Sequence, residues 1–196
     1  MHTPTDEQVH AIDTFRDGHH LVLQAGAGTG KTSTLGMLAA STARRGRYLA
    51  FNKDIANDAA GRFSRSVLCK TAHATAYAAV GYRFARRLNS PRRPAWRIGQ
   101  ALGITSPVRI GVHEISPRVQ SQTVLSTVAR FCQSADRFPA PHHVPMLRRL
   151  GAPDERAQLA EIVMPFVEKA WKDLQNPEDG AVRFDHDHYL KLWALT

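Results

Sequence analysis

Apolar positions along the first 82 residues follow two alternating rhythms. Val9, Ile12 and Phe15 fall at helical spacing, behind a helix start made of Thr5, the acidic pair Asp6 and Glu7, and Gln8 at the capping-box position. Gly18 closes that helix. Leu21, Val22 and Leu23 form a short apolar run that predicts a buried strand over 21–24. A helix is predicted over 31–43 and ended by Gly46, then a strand over 47–51, a helix over 54–63, a strand over 67–69 and an alanine-rich helix over 71–82. Strands alternating with helices predict an α/β protein built on a parallel, doubly wound sheet. Beyond residue 82 the rhythm changes. Asn89-Ser90-Pro91-Arg92-Arg93-Pro94 is a breaker-rich basic turn. Helices without clear strands are predicted over 96–102, 117–132 and 157–174, with Pro139, Pro141 and Pro145 between the last two. Residues 83–183 therefore read as a helical insertion ended by Asn176-Pro177-Glu178-Asp179-Gly180, and 186–195 begins another element.

Composition narrows the class. At 196 residues, 43% hydrophobic and 22% charged, the chain has room for one domain with a core and an insertion. No apolar run approaches the ~20 residues of a membrane span, and the N-terminus lacks the basic-then-apolar order of a signal peptide. The two cysteines, Cys69 and Cys132, lie far apart without a CxxC, which suits a reducing compartment and offers neither a disulfide framework nor a cysteine zinc site. A cytoplasmic location without a membrane partner is expected. The net charge of +9 is unevenly spread. From Ala59 to His113 there is no Asp or Glu, while Arg62, Arg65, Lys70, Arg83, Arg86, Arg87, Arg92, Arg93, Arg97 and Arg109 occur there. Such a stretch predicts a polyanion partner, and the interleaved Tyr77, Tyr82, Phe84 and Trp96 are candidates to stack on unpaired bases. A solvated arginine-rich surface is the alternative.

The strongest chemical signal is Ala25-Gly26-Ala27-Gly28-Thr29-Gly30-Lys31-Thr32, followed by Ser33. Strand, glycine-rich turn, Lys-Thr and helix is the context of a phosphate-binding P-loop. Glycines let successive N–H groups converge on an anion, and the helix N-terminus adds partial positive charge. Lys31 is expected to reach the β- and γ-phosphates of ATP, and the Thr32 hydroxyl to hold Mg²⁺. Ala25 stands where the general pattern has Gly. The pairs His142-His143 and His186-x-His188 carry metal-ligating residue types, but no Cys or third His completes either, so neither is expected to bind metal. Trp171 and Trp193 are expected in the core.

In this order the segments resemble the N-terminal part of the superfamily 1 UvrD/Rep-like DNA helicases, within them most the F-box DNA helicase branch and its phage and bacterial relatives. Thr5-Asp6-Glu7-Gln8 looks like the Q motif, which implies that Gln8 contacts adenine; residues 25–32 match motif I, which in that family commonly begins with Ala. Tyr48-Leu49-Ala50-Phe51-Asn52-Lys53 resembles motif Ia and Lys70-Thr71-Ala72-His73 resembles motif Ib, which implies single-stranded DNA contacts at Phe51, Asn52, Lys53, Thr71 and His73. His188 to Trp193 looks like the segment leading into motif II. Asn52 also reads as a turn residue, His73 as a helix-start residue and Gln8 as a capping residue alone. The resemblance is good over 5–82 and 184–194 and weak between. It implies an incomplete RecA-like parallel sheet over 1–82, a 1B-like insertion over 83–183, and a return to the RecA-like domain over 184–196.

No Asp-Glu-Ala-Gln-Asp-like string supplies the carboxylates that would hold Mg²⁺ and activate water, and Asp179, Asp185 and Asp187 do not follow a buried strand. A second RecA-like domain with its arginine finger has no room. The expectation is the N-terminal part of an ATP-dependent 3′–5′ DNA helicase in a bacterial or phage-infected cell. It would act on single-stranded or partly duplex DNA in repair or replication, be inactive alone, and be completed by a missing or separately encoded C-terminal part. A split gene, an interrupted reading frame or a truncation would produce it. A non-catalytic DNA- or partner-binding remnant is the alternative, and an unrelated P-loop kinase or GTPase a third.

Overall fold

The computed structural model describes residues 3–88 and 90–196; Met1, His2 and, in the basic turn, Asn89 lie outside the described residues. The chain is α/β and mostly helical, with one parallel and one antiparallel pair of strands among the described residues. It forms two compact units, Met1–Thr75 and Ala76–Thr196.

In the first unit, α1 (Asp6–Arg16) starts at a reciprocal cap. The Thr5 hydroxyl accepts from the Gln8 N–H, and Gln8 Oε1 accepts from the Thr5 N–H at 3.0 Å. α1 packs on α2 (Lys31–Ala40). A crossover then runs through β1 (Gly46–Ala50), α3 (Lys53–Arg62) and β2 (Val67–Thr71). β1 and β2 are parallel, in register from Gly46 opposite Val67 to Ala50 opposite Thr71. Tyr48 and Ala50 share one sheet face with Val67, Cys69 and Thr71, and the Tyr48 ring meets Phe63 edge-on at 5.0 Å. The opposite face holds Arg47, Leu49, Leu68 and Lys70, all exposed.

The strand expected over 21–24 does not form. A strand exists only through a ladder of backbone hydrogen bonds, and no segment among the described residues pairs with this one. Nor is it buried: Val22 is 91% exposed, while Leu21 and Leu23 are half-buried, so the side chains keep a period of two without a partner.

α4 (Ala72–Ala79) follows β2, and the helix expected to 82 gives way to a 3₁₀ turn over Gly81–Phe84 and the short α5 (Ala85–Leu88). The second unit then holds α6 (Ala95–Leu102), β3 (Val108–Ile110), β4 (His113–Ile115), α7 (Pro117–Cys132), α8 (Pro153–Gln175) and α9 (His186–Ala194). α7 packs on α6, α8 and α9. Ser116 caps α7 and Pro117 opens it, and Val124, Val128 and Phe131 line its buried stripe. They meet Leu159, Val163, Val167 and Leu174 of α8 in the core, with Trp171 buried and Trp193 packed at its edge. The hairpin β3–β4 corrects the expectation that this region lacks strands. Ile110 pairs with His113 across Gly111-Val112, and Gly111 has φ 55 while Val112 does not, the signature of a II′-like turn. Ile110 and Ile115 point inward, and Arg109 faces Glu114 on the exposed side.

Candidate functional site

The loop before α2 is shaped by two glycines in left-handed backbone, Gly28 (φ 78) and Gly30 (φ 81), where any Cβ adds strain. Gly30 is the N-cap of α2, so the free N–H groups of the first helical turn begin there. The Thr29 hydroxyl donates to the Gly26 carbonyl at 2.8 Å and draws the loop closed. Lys31 is the first residue of α2, and its ammonium donates to the carbonyls of Ala25, at 3.1 Å, and Gly26. Thr32 and Ser33 follow in the same turn. Ala27 sits in the turn itself. Glycine backbone, a helix N-terminus and an ammonium group thus converge in one loop, the chemistry that suits a phosphate.

Gln8 is tied to this loop. Its Nε2 donates to the Thr34 hydroxyl at 2.9 Å, and that hydroxyl donates to the Gly30 carbonyl at 3.2 Å. One amide N–H and the carbonyl oxygen are so engaged, and the amide has a second N–H. Thr34 is buried and was not singled out by sequence; its only signal is its place beside Ser33 in the helix that follows the loop. A cavity of ≈ 490 Å³ is lined by Gln8, Ala11, Val22, Ala25, Lys31 and Thr34, among others, a volume within the range of small-molecule sites. The carboxylate among its described lining residues is Glu7 of α1, which does not lie at the end of a strand. Gln8, Lys31 and Thr34 thus line one cavity beside the glycine backbone of the loop, with Thr32 in the first turn of α2.

A second group of residues gathers at one sheet edge. The pairing of Ala50 with Thr71 sets the C-terminal ends of β1 and β2 side by side, so Phe51, Asn52 and Lys53 leave one strand beside the point where Thr71 and His73 leave the other. Phe51 is 94% exposed, and Lys53 is exposed. Asn52 caps α3 by accepting the Ile55 N–H at 2.9 Å, and the Thr71 hydroxyl accepts the Ala74 N–H at 3.0 Å. His73 is half-buried. In open α/β sheets ligands collect at the carboxyl ends of strands.

Two residues of the basic stretch do not belong to an exposed surface. Arg87 is buried at 4% exposure: its guanidinium donates to the carbonyls of Asp173, Asn176 and Val182 and pairs with the Asp173 carboxylate at 3.1 Å. Phe84 is buried and stacks on Phe184 at 4.4 Å. The remaining basic residues of the stretch are exposed, as are Tyr82 and Trp96, with Arg97 resting over the Trp96 ring at 5.3 Å. No helix is long and apolar enough to cross a membrane among the described residues.

With this geometry in view, the comparisons place the chain beside part of a DNA helicase and mark a helicase-related region. Over 193 residues, 91% of this chain, it is 30% identical to F-box DNA helicase 1 of Gallus gallus, of whose length it spans 18%. No protein-family model matches the chain. No solved structure matches it.

Proposed function

We propose that the chain is the ATP-binding and single-stranded-DNA-binding part of an ATP-dependent 3′–5′ DNA helicase, with residues 1–82 as the first part of a RecA-like domain, 83–183 as a 1B-like insertion and 184–196 returning to the RecA-like domain. The observation that carries this reading is the loop of Gly28 and Gly30 with Lys31 at the start of α2, joined to Gln8 through Thr34. Similarity to a DNA helicase over most of the chain favours a helicase loop over that of a kinase or GTPase. The loop N–H groups and Lys31 would hold the phosphates, Thr32 would hold Mg²⁺, and Gln8 would meet the base. Bound magnesium would neutralise charge on the β- and γ-phosphates. Phe51, Asn52, Lys53, Thr71 and His73 form the strand-binding edge. Turnover would further need a carboxylate to activate water and an arginine finger, which the described residues of the site do not supply, so the chain alone should bind nucleotide weakly and turn it over negligibly.

The test is single-stranded DNA binding by fluorescence anisotropy across salt concentrations, with wild type, Asn52→Asp and Lys53→Ala. Asn52→Asp preserves the α3 cap but sets a negative charge at the edge. Both variants should bind more weakly with an unchanged denaturation midpoint. Wild-type affinity should fall with salt by about 0.7 log units per neutralised phosphate for each log unit of salt. Salt-independent binding, or variants that bind as wild type does, contradicts the reading. Affinity that survives Lys31→Ala and ignores nucleotide favours a non-catalytic remnant.

A further inference from the structure

Three ligand-type side chains converge in the loop after α7, within the second unit. Asp136 Oδ2 lies 2.6 Å from His142 Nε2 and 3.0 Å from His143 Nε2, and the three donor atoms lie within 4.8 Å of one another. The sequence pattern hid the set because its third member is a carboxylate six residues before the histidine pair, where a Cys or a third His was sought. We propose that Asp136, His142 and His143 form a binding site for one divalent transition-metal ion of the zinc type, independent of the nucleotide loop.

The loop is built to hold this arrangement. His143 is buried at 4% exposure, its ring set edge-on against Phe131 at 5.6 Å. Its Nδ1 accepts the Ala140 N–H at 2.9 Å and also lies 3.1 Å from the Ala140 carbonyl; metal binding at Nε2 would shift the ring proton to Nδ1, where that carbonyl is placed to accept it. Metal-bound histidines commonly donate their second nitrogen in this way. Lys191 of α9 fixes the loop backbone by donating to the carbonyls of Ser134, at 2.9 Å, and Asp136, at 2.6 Å. The Ser134 hydroxyl lies 3.1 Å from His143 Nε2, beside the open position that a water would fill.

Distances and charge select the ion. Tetrahedral ligands about 2.0–2.2 Å from zinc stand roughly 3.3 Å apart, so the Asp136 oxygen must move about 0.7 Å from His142 and about 0.3 Å from His143, with the two imidazole nitrogens already within 4.8 Å of each other. His142 and Asp136 are 66% and 44% exposed and free to give, while His143 stays fixed. Two imidazoles, one carboxylate and an open position suit zinc and its first-row neighbours. A hard ion such as Mg²⁺ wants several oxygens, and here there is a single carboxylate, on a residue whose backbone carbonyl accepts from the Lys191 ammonium.

The full chain, stripped with chelator and dialysed, is titrated with ZnCl₂ by calorimetry, beside His142→Ala, Asp136→Asn and, as a control for scattered histidines, His186→Ala. No nucleotide is present, so the outcome is separate from that of the helicase reading. Wild type should take up one Zn²⁺ per chain and gain thermal stability, while MgCl₂ gives no signal. His142→Ala and Asp136→Asn should each weaken binding by more than about tenfold, since even an outer-shell partner is worth that much. His186→Ala should bind as wild type does. His142 is exposed, so its variant folds. Absent stoichiometric binding, binding unchanged in the two ligand variants, or equal loss in His186→Ala overturns the site and leaves Asp136 as a hydrogen-bond acceptor for two imidazoles.

Discussion

Arg87 separates charge that binds a partner from charge that holds the fold. Four of its contacts reach three backbone carbonyls and one carboxylate, and the Asp173 carboxylate also accepts the Ala181 and Val182 N–H groups. Arg87→Met leaves that carboxylate half-buried without its cation, a loss of about 3–5 kcal/mol. Urea denaturation should show it, with Arg87→Lys recovering little because an ammonium cannot fork; an unchanged midpoint contradicts this. His188 gives the second unit a pH dependence. Its Nδ1 accepts the Asp185 N–H at 2.9 Å, a bond that requires an unprotonated nitrogen, and burial pushes its pKa below the ordinary 6.5 despite the Asp185 carboxylate 3.2 Å away. The unfolded chain then takes up a proton near pH 6.5 that the folded chain resists until lower pH. The stability is fully present above that value and is lost as pH falls through the lower folded-state pKa. His188→Gln keeps a capping residue without the proton, so its Tm should fall less than wild type's between about pH 7 and pH 5. Lys31 and Gln8 were legible in the sequence because their neighbours define their surroundings. Arg87 was not, because its partners lie 86 to 95 residues away.

At the scale of elements, the loop before α2 distinguishes its glycines by backbone. Gly28→Ala meets no atom within 4 Å, so its cost is the positive φ alone, about 1 kcal/mol, together with weaker nucleotide binding. Gly26→Ala has no such φ and meets only Thr29 Cγ2 at 3.6 Å, so its stability should stay near wild type. Thermal denaturation of the pair checks both; equal losses would contradict the assignment. Helix starts were readable wherever a cap is a local matter, as at Thr5 and Ser116. Pairing was not. The apolar run at 21–24 looks like a strand by composition, yet a strand is decided by a partner that composition does not name. The hairpin at Gly111-Val112 escaped notice because each arm is only three residues long and its turn lacks an Asn-Gly signal.

For the whole molecule, the two candidate sites of the first unit draw on different properties of one sequence. The proposed phosphate loop rests on glycine backbone and one lysine, and the proposed strand-binding edge on the parallel register of β1 and β2. Both were legible because each is a short motif at a strand or helix end; the buried members of the basic stretch were not, because charge counts do not report depth. On the proposed function, Lys31 and its loop bind a nucleotide. Equilibrium binding of a fluorescent ATP analogue with Mg²⁺, measured for wild type and Lys31→Ala, tests it most directly. Wild type should bind saturably and the variant more weakly by about tenfold or more, the loss of one charge-assisted contact, with the denaturation midpoint unchanged. No saturable binding by wild type, or equal binding by both, would contradict it.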